Sequence, residues 1–97
     1  MTDEVINIVA DDREANSGVL DALKHHPERT VRIARMRLGD YQVGGRLLFE
    51  RKTLRDLAES IIDGRFLGQA RRLAANPLRP VILLEGTARD VAGCGMH

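Results

Sequence analysis

Two carboxylates and a lysine lie close together along the chain, at a spacing that suits binding of a cation. Asp40 follows a glycine, Glu50 comes ten residues later, and Lys52 is two residues beyond Glu50. Alternate residues of a β-strand point to the same face, so Glu50 and Lys52 share a face if one strand carries both. Carboxylate oxygens are the ligands that Mg²⁺ and Mn²⁺ prefer. A nearby lysine can position a water or offset developing negative charge, so the spacing predicts metal-dependent hydrolysis.

The cooperation of the two carboxylates depends on the register of a predicted β-hairpin. Apolar segments flank Gly44-Gly45, which is a typical hairpin turn. A two-residue turn would send Asp40 and Glu50 to opposite faces of the sheet, whereas a three-residue loop over residues 44–46 pairs them. The longer loop also gathers four apolar side chains on the other face, namely Tyr41, Val43, Leu47 and Phe49. We therefore predict the longer loop, with a glycine at positive φ.

The composition is that of one globular domain. The chain has 97 residues, of which 43% are hydrophobic and 30% charged, and its net charge is +1. The three aromatic residues argue against a surface for stacking single-stranded bases. The single cysteine, Cys94, and the polar start predict an intracellular protein, in the cytoplasm or nucleoid of a prokaryote or the nucleus of a eukaryote. Cys94 and His97 supply only half of a zinc-ligand spacing, so we do not expect zinc.

Hydrophobic periodicity predicts the element order β-α-β-β-β-α-α-β, a mixed sheet with helices packed on it. The predicted strands cover residues 5–10, 31–36, 41–43, 47–50 and 81–84. One helix begins near Ser17 and ends before Pro27, and two more follow Thr53, separated at residues 63–64. The inner face of the first of these two is predicted to carry Leu54, Leu57, Ala58, Ile61 and Ile62. We expect a core over residues 5–86 and a frayed tail over residues 87–97.

The motif resembles the signature of the XPF family of structure-specific endonucleases. That signature runs Gly-Asp, a variable gap, Glu-Arg-Lys, three residues and Asp. The chain has Gly39-Asp40, nine residues, Glu50-Arg51-Lys52, three residues and Asp56. The resemblance extends over residues 5–86. It includes Asp-x-Arg-Glu at residues 11–14, Ser-Ile-x-Asp-Gly-Arg at residues 60–65 with the later Gln69, and a strand ending in Glu-Gly at residues 80–86.

The resemblance implies a restriction-endonuclease-like α/β fold, a mixed central sheet flanked by helices, and a role for each site residue. Asp40 and Glu50 would hold Mg²⁺ or Mn²⁺ with the Arg51 carbonyl, and Lys52 would be the catalytic lysine. Asp11 would be a further metal ligand, and Glu14 and Asp56 would support the site. Residues expected to contact DNA are Arg13, Arg51, Arg65, Gln69 and Arg72.

The family cuts branched DNA such as flaps and forks, and its nuclease domains pair as dimers. The resemblance therefore implies a Mg²⁺- or Mn²⁺-dependent endodeoxyribonuclease of DNA repair or recombination, in a homodimer or heterodimer. Family domains continue with a further strand and helix after the Glu-Gly strand, whereas this chain ends at residue 97. We accordingly expect either a fragment of a longer protein or a C-terminally truncated version of the domain, without the helix-hairpin-helix module of many family members.

The sequence leaves two other functions open: a catalytically inactive DNA-binding relative, and an assembly module for an active nuclease partner. Simpler roles also exist for several site residues. Asp56 lies three residues after Thr53, as in a helix cap that contributes about 1 kcal/mol. Asp11 could be the polar end of a strand, and Glu50 and Lys52 could form a plain ion pair. The helical spacing of Arg65, Gln69 and Arg72 is also that of an ordinary solvent-exposed face.

Overall fold

The computed structural model describes residues 5–92 and gives them a five-stranded mixed sheet with helices on both faces. The strands are β1 (Ile6–Asp11), β2 (Arg29–Ala34), β3 (Tyr41–Val43), β4 (Leu47–Thr53) and β5 (Arg79–Glu85). The helices are α1 (Gly18–Lys24), α2 (Leu54–Ile62) and α3 (Phe66–Ala74), and two short 3₁₀ turns cover Asp12–Glu14 and Ala88–Val91. The predicted order of strands and α-helices is confirmed.

The sheet has the strand order β2-β1-β3-β4-β5. β1 pairs in parallel with β2 and β4 in parallel with β5, while β3 runs antiparallel to both β1 and β4. β2 begins two residues before its predicted start, because the polar residues Arg29 and Thr30 already pair with β1. β4 continues to Thr53, opposite Glu85, which extends it three residues beyond its predicted end.

The β3–β4 hairpin has the predicted register. Tyr41 pairs with Phe49 and Val43 with Leu47, so residues 44–46 form a three-residue loop. Gly44 and Gly45 have φ values of 62° and 66°, the left-handed region that favours glycine. Both the loop length and the positive φ are confirmed.

Alternating side chains divide the sheet between two helical layers. On one face, Leu20 of α1 packs on a buried cluster with Ile8, Ala10 and Tyr41. On the opposite face, α3 lies over β4 and β5 and buries Leu73, which is 4% exposed. The predicted apolar face of the hairpin therefore lies in the core beneath α1, and the polar face is left to form a cleft beside α3.

Two expectations for the second half of the chain are wrong. Ile61 and Ile62 were predicted to be on the inner face of α2, yet they are 45% and 57% exposed. Periodicity identifies an apolar stripe but not whether a partner covers the whole stripe. Residues 87–92, expected to be frayed, include a 3₁₀ turn that packs against α2, and the Thr87 amide bonds the Asp90 carboxylate at 2.6 Å. Cys94 and His97 lie outside the described residues.

Candidate functional site

Asp40 is fixed at the start of β3 by bonds to both neighbouring strands. Its amide donates to the Phe49 carbonyl at 2.7 Å, and its carbonyl accepts from the Asp11 amide at 2.9 Å. The preceding Gly39 has φ 79°, and an added Cβ would lie 2.5 Å from the buried Leu48 Cδ1. The glycine of the Gly-Asp motif is thus required for both backbone conformation and space.

Asp40 and Glu50 line one cleft, together with Arg13 and Arg37. The Asp40 carboxylate accepts one hydrogen bond, from the Arg51 amide to Oδ2 at 2.8 Å. No donor from residues 5–92 hydrogen-bonds to the Glu50 carboxylate, and no basic side chain pairs with it. The predicted proximity of the two acids is therefore present, and both retain oxygen atoms that can bind a ligand.

Burial raises the pKa of both carboxyl groups. For Asp40 the loss of hydration is the largest cause, the Arg51 amide opposes it, and the charges of Glu14 and Asp11 add to it. Burial is also the largest cause of the raised Glu50 pKa, followed by the negative charge of Asp40. Two carboxylates that disfavour their own ionisation form a pocket that a cation would stabilise.

Lys52 lies on the same side of β4 as Glu50, but the two side chains do not pair. Lys52 Nζ instead donates to Gln69 Oε1 of α3 at 3.0 Å. A second part of the cleft is lined by Glu50, Lys52, Gln69 and Arg72, among other residues. Gln69, predicted to contact DNA, thus uses its side-chain oxygen to hold the lysine.

The Asp11 carboxylate, predicted to be a metal ligand, is bonded within the protein, and its role as a ligand stays a prediction. It is fully buried, and its two oxygens accept from Arg13 Nε at 2.6 Å, from Arg13 Nη2 at 3.1 Å and from the Met36 amide at 2.8 Å. These bonds, above all those from the Arg13 side chain, hold the pKa of Asp11 well below its usual range. Among residues 5–92 no three His, Cys, Asp or Glu side chains group closely enough to hold a metal.

Arg13 is correspondingly tied to the protein while remaining largely at the surface. Its guanidinium pairs with Asp11 and also donates to the Met36 carbonyl at 2.9 Å, yet its side chain is 59% exposed. It lies at the rim of the cleft that contains Asp40 and Glu50. A phosphate contact by Arg13 is therefore compatible with its structural bonds.

The Arg51 guanidinium joins the 3₁₀ turn that follows β1 to the end of β5, and its predicted contact with DNA stays a prediction. Its Nε and Nη2 bond the two oxygens of Glu85 at 2.8 and 3.0 Å, and its Nη1 bonds Glu14 at 2.6 Å. These hydrogen bonds raise the pKa of Arg51 and lower that of Glu85. With all three guanidinium nitrogens bound to carboxylates, Arg51 braces the sheet, and so does Glu14. Sequence reasoning placed Glu85 in the Glu-Gly end of a strand but assigned it no role.

The remaining predicted residues lie at the surface. Thr53 Oγ1 accepts from the Asp56 amide at 3.0 Å, so the capping interpretation is confirmed. The Asp56 side chain itself is exposed and bonds to no other residue within 5–92. Arg65 pairs with Asp63 at 2.7 Å, whereas Arg72 is exposed and lines the cleft beside Lys52. The structure thus brings Arg72 to the site and leaves Asp56 and Arg65 without contact to Asp40 or Glu50.

No helix among residues 5–92 has the length and apolar character needed to cross a membrane.

Comparison with known proteins gives concordant family matches. The model of the ERCC4 domain matches residues 10–93. The 3′-flap repair endonuclease Xpf of Saccharolobus solfataricus is 38% identical over 87 residues, which cover 90% of this chain and 37% of that protein. DNA repair protein rad16 of Schizosaccharomyces pombe is 31% identical over 85 residues, 88% of this chain and 10% of that protein.

A solved structure extends the likeness to the fold. XPF from Aeropyrum pernix in complex with DNA superposes with a TM-score of 0.74 at 36% identity, over 84% of this chain and 40% of that one. The predicted α/β fold, a mixed sheet with flanking helices, is thereby confirmed. The chain spans well under half the length of these relatives. With its ERCC4 domain, the chain belongs to the XPF family of endonucleases.

Proposed function

We propose that the chain is the nuclease domain of an intracellular, metal-dependent DNA endonuclease that hydrolyses phosphodiester bonds in branched DNA during repair or recombination. One observation carries the proposal. Asp40 and Glu50 line one cleft, neither carboxylate is in an ion pair within residues 5–92, and Lys52 lies on the same side of β4. The likeness to a 3′-flap repair endonuclease and to an XPF structure with DNA supports the choice of substrate.

The donor set fits Mg²⁺ or Mn²⁺. Asp40 and Glu50 would hold the ion with the main-chain carbonyl of Arg51, an all-oxygen set of the kind that hard divalent cations prefer. When bound, the ion would polarise a phosphate oxygen and lower the pKa of a coordinated water. The Arg51 amide already holds Oδ2 of Asp40, which orients that carboxylate before any ligand binds.

The remaining roles belong to side chains around the cleft. Lys52 would position the attacking water or offset negative charge that develops at the phosphate. Gln69 keeps the ammonium in place. Arg72 and Arg13 each line a part of the cleft that Glu50 also lines, and they would contact phosphates that flank the scissile bond. Asp11, Glu14 and Arg51 support this arrangement from within the sheet.

The test is cleavage of labelled flap and fork DNA with Mg²⁺ or Mn²⁺. We expect metal-dependent cleavage that falls by at least about 100-fold in Asp40→Asn and in Lys52→Ala. Asp21→Asn and Lys24→Ala are matched controls, since both residues are exposed on α1, which packs on the other face of the sheet. DNA binding without cleavage at any metal concentration would favour the inactive relative instead. Wild-type cleavage in Asp40→Asn would exclude this site.

We further propose that the chain pairs with a second nuclease chain, identical or related. β5 is an edge strand among residues 5–92. Its adjacent residues Leu83 and Leu84 point to opposite faces of the sheet and are 44% and 50% exposed. Apolar residues exposed on both faces of an edge strand are typical of an interface. Sedimentation of the wild-type chain and of Leu84→Asp tests the pairing of identical chains: we expect a dimer that the substitution dissociates, and a wild-type monomer at all concentrations would contradict the homodimer.

A further inference from the structure

We propose that a groove beside the candidate site binds the phosphodiester backbone of the DNA strand that leaves the cleft, through Arg32 and Arg37. This inference rests on the proposed function for the identity of its ligand. The groove has a volume of about 320 Å³ and lies on the sheet face that carries Glu50. Its floor includes Val9, Gln42 and Leu48, from β1, β3 and β4.

The charge of the groove is wholly positive. Among the described residues that line it, three are arginines and none carries a carboxylate. Arg35 is neutralised by Asp12, with Nε and Oδ1 2.6 Å apart. Arg32 and Arg37 are exposed, and neither has a hydrogen-bond or ion-pair partner within the described part of the chain. Two unpaired guanidinium groups on one groove are suited to bidentate contact with phosphates.

The groove is continuous with the site. Arg37 and Leu38 line both the groove and the cleft that contains Asp40 and Glu50. Leu38 also lines the part of the cleft beside Lys52 and Arg72. Basic side chains therefore follow one path across the sheet face, from Arg72 past Glu50 to Arg37 and Arg32. A strand bound at the cleft would have its next phosphates over this path.

The neighbouring sheet surface favours a charged, hydrated ligand over a protein partner. Beside Arg32, β1 and β2 present the exposed polar residues Asn7 and Thr30, which bond to each other at 2.6 Å. The exposed side chains that line the groove are its three arginines, while its apolar lining residues, such as Val9, Leu38 and Leu78, are at least partly buried. Polar residues with unpaired arginines are typical of contacts to a DNA backbone, whereas a protein interface would place apolar residues at its centre.

The inference is tested by the salt dependence of DNA binding, measured by fluorescence anisotropy with labelled fork DNA and EDTA. The test variant is Arg32→Gln/Arg37→Gln. The control is Arg46→Gln/Arg79→Gln, which removes the same charge from exposed positions at the far end of the sheet. The logarithm of affinity falls as the logarithm of salt concentration rises, and each lost phosphate contact makes this slope less steep by about 0.9. In the test variant we expect the slope to be less steep by about two and binding to be at least about tenfold weaker. In the control we expect much smaller changes in both slope and affinity.

Equal slopes in the test and control variants would contradict the proposal that the groove binds the DNA backbone. A wild-type chain that binds no DNA would contradict it as well. Thermal melts of both variants check that folding is intact, which we expect because all four side chains are exposed. Cleavage is measured separately with Mg²⁺. A wild-type chain that binds DNA but never cleaves it contradicts the proposed endonuclease, while the slopes still decide whether Arg32 and Arg37 bind the backbone.

Discussion

Lys52 of β4 donates a hydrogen bond to the side-chain oxygen of Gln69 on α3, with Nζ and Oε1 3.0 Å apart. The bond links a strand residue of the candidate site to the helix that covers it. A lysine ammonium on four methylene groups has many rotamers, and an acceptor at a fixed position selects among them. The orientation of the predicted catalytic lysine therefore depends on where α3 packs.

Replacing Gln69 should slow cleavage without weakening substrate binding. In Gln69→Leu the ammonium loses its acceptor, and we expect kcat to fall about tenfold, equivalent to about 1.4 kcal/mol, with KM nearly unchanged. Gln69→Glu keeps an oxygen acceptor at the same position and should retain most of kcat. Steady-state kinetics on flap DNA separate the two parameters. A rise in KM with kcat intact would show instead that Gln69 contacts DNA.

Substitution of two glycines with similar φ values by alanine should lower the free energy of unfolding by different amounts. Gly39 and Gly44 have φ values of 79° and 62°, but only at Gly39 would a Cβ collide, with Leu48. We expect Gly44→Ala to lower the free energy of unfolding by about 1 to 2 kcal/mol from backbone strain alone. Gly39→Ala should lower it by about 2 to 4 kcal/mol, since the buried Leu48 must also move. Urea denaturation measures both, and equal losses would contradict the collision.

Asp11 should make stability depend on acidity in a defined direction. Hydrogen bonds from the Arg13 guanidinium hold the folded-state pKa of Asp11 well below its ordinary value of 3.8. The ion pair therefore stabilises the fold fully above pH 3.8, and this stabilisation is lost as the pH falls through the folded-state pKa. Asp11→Asn should lower the free energy of unfolding at pH 7 by about 3 kcal/mol. Below pH 4 the unfolding free energy of this variant should fall less steeply with decreasing pH than that of the wild type.

Urea denaturation between pH 7 and pH 2 tests this expectation. The control is Asp21→Asn, because Asp21 is an exposed aspartate whose removal should leave the pH dependence close to wild type. If Asp11→Asn and the wild type lose stability in parallel below pH 4, the Asp11–Arg13 pair does not supply the acid sensitivity.

The sequence predicted best those structural features that depend on residues close together along the chain, such as the register of a hairpin. Tyr41, Val43, Leu47 and Phe49 share an apolar face with a three-residue loop but not with a two-residue turn, so the choice between the two followed from the pattern. The capping role of Thr53 was equally local, because a cap depends on residues within one turn. The proximity of Asp40 to Glu50 followed from the register.

Interactions between distant segments were not readable from the pattern. The bond of Arg51 to Glu85 joins residues 34 positions apart and depends on β4 and β5 pairing in parallel. A charged residue in a motif also does not reveal its partners, so the sequence predicts neither of the carboxylates that Arg51 bonds, Glu14 and Glu85. The exposure of Ile62 was missed for a related reason, since amphipathicity indicates a face suited to burial but not what covers it.

The three-residue loop of the β3–β4 hairpin has a consequence for how this motif tolerates insertions and deletions. Extra residues placed among positions 44–46 lengthen the turn and leave the pairs beyond it unchanged. One extra residue inside either strand would rotate Asp40 or Glu50 to the opposite face and separate the two acids. Length variation between the Gly-Asp and Glu-Arg-Lys segments should therefore be confined to the tip of the hairpin, where it costs the site nothing.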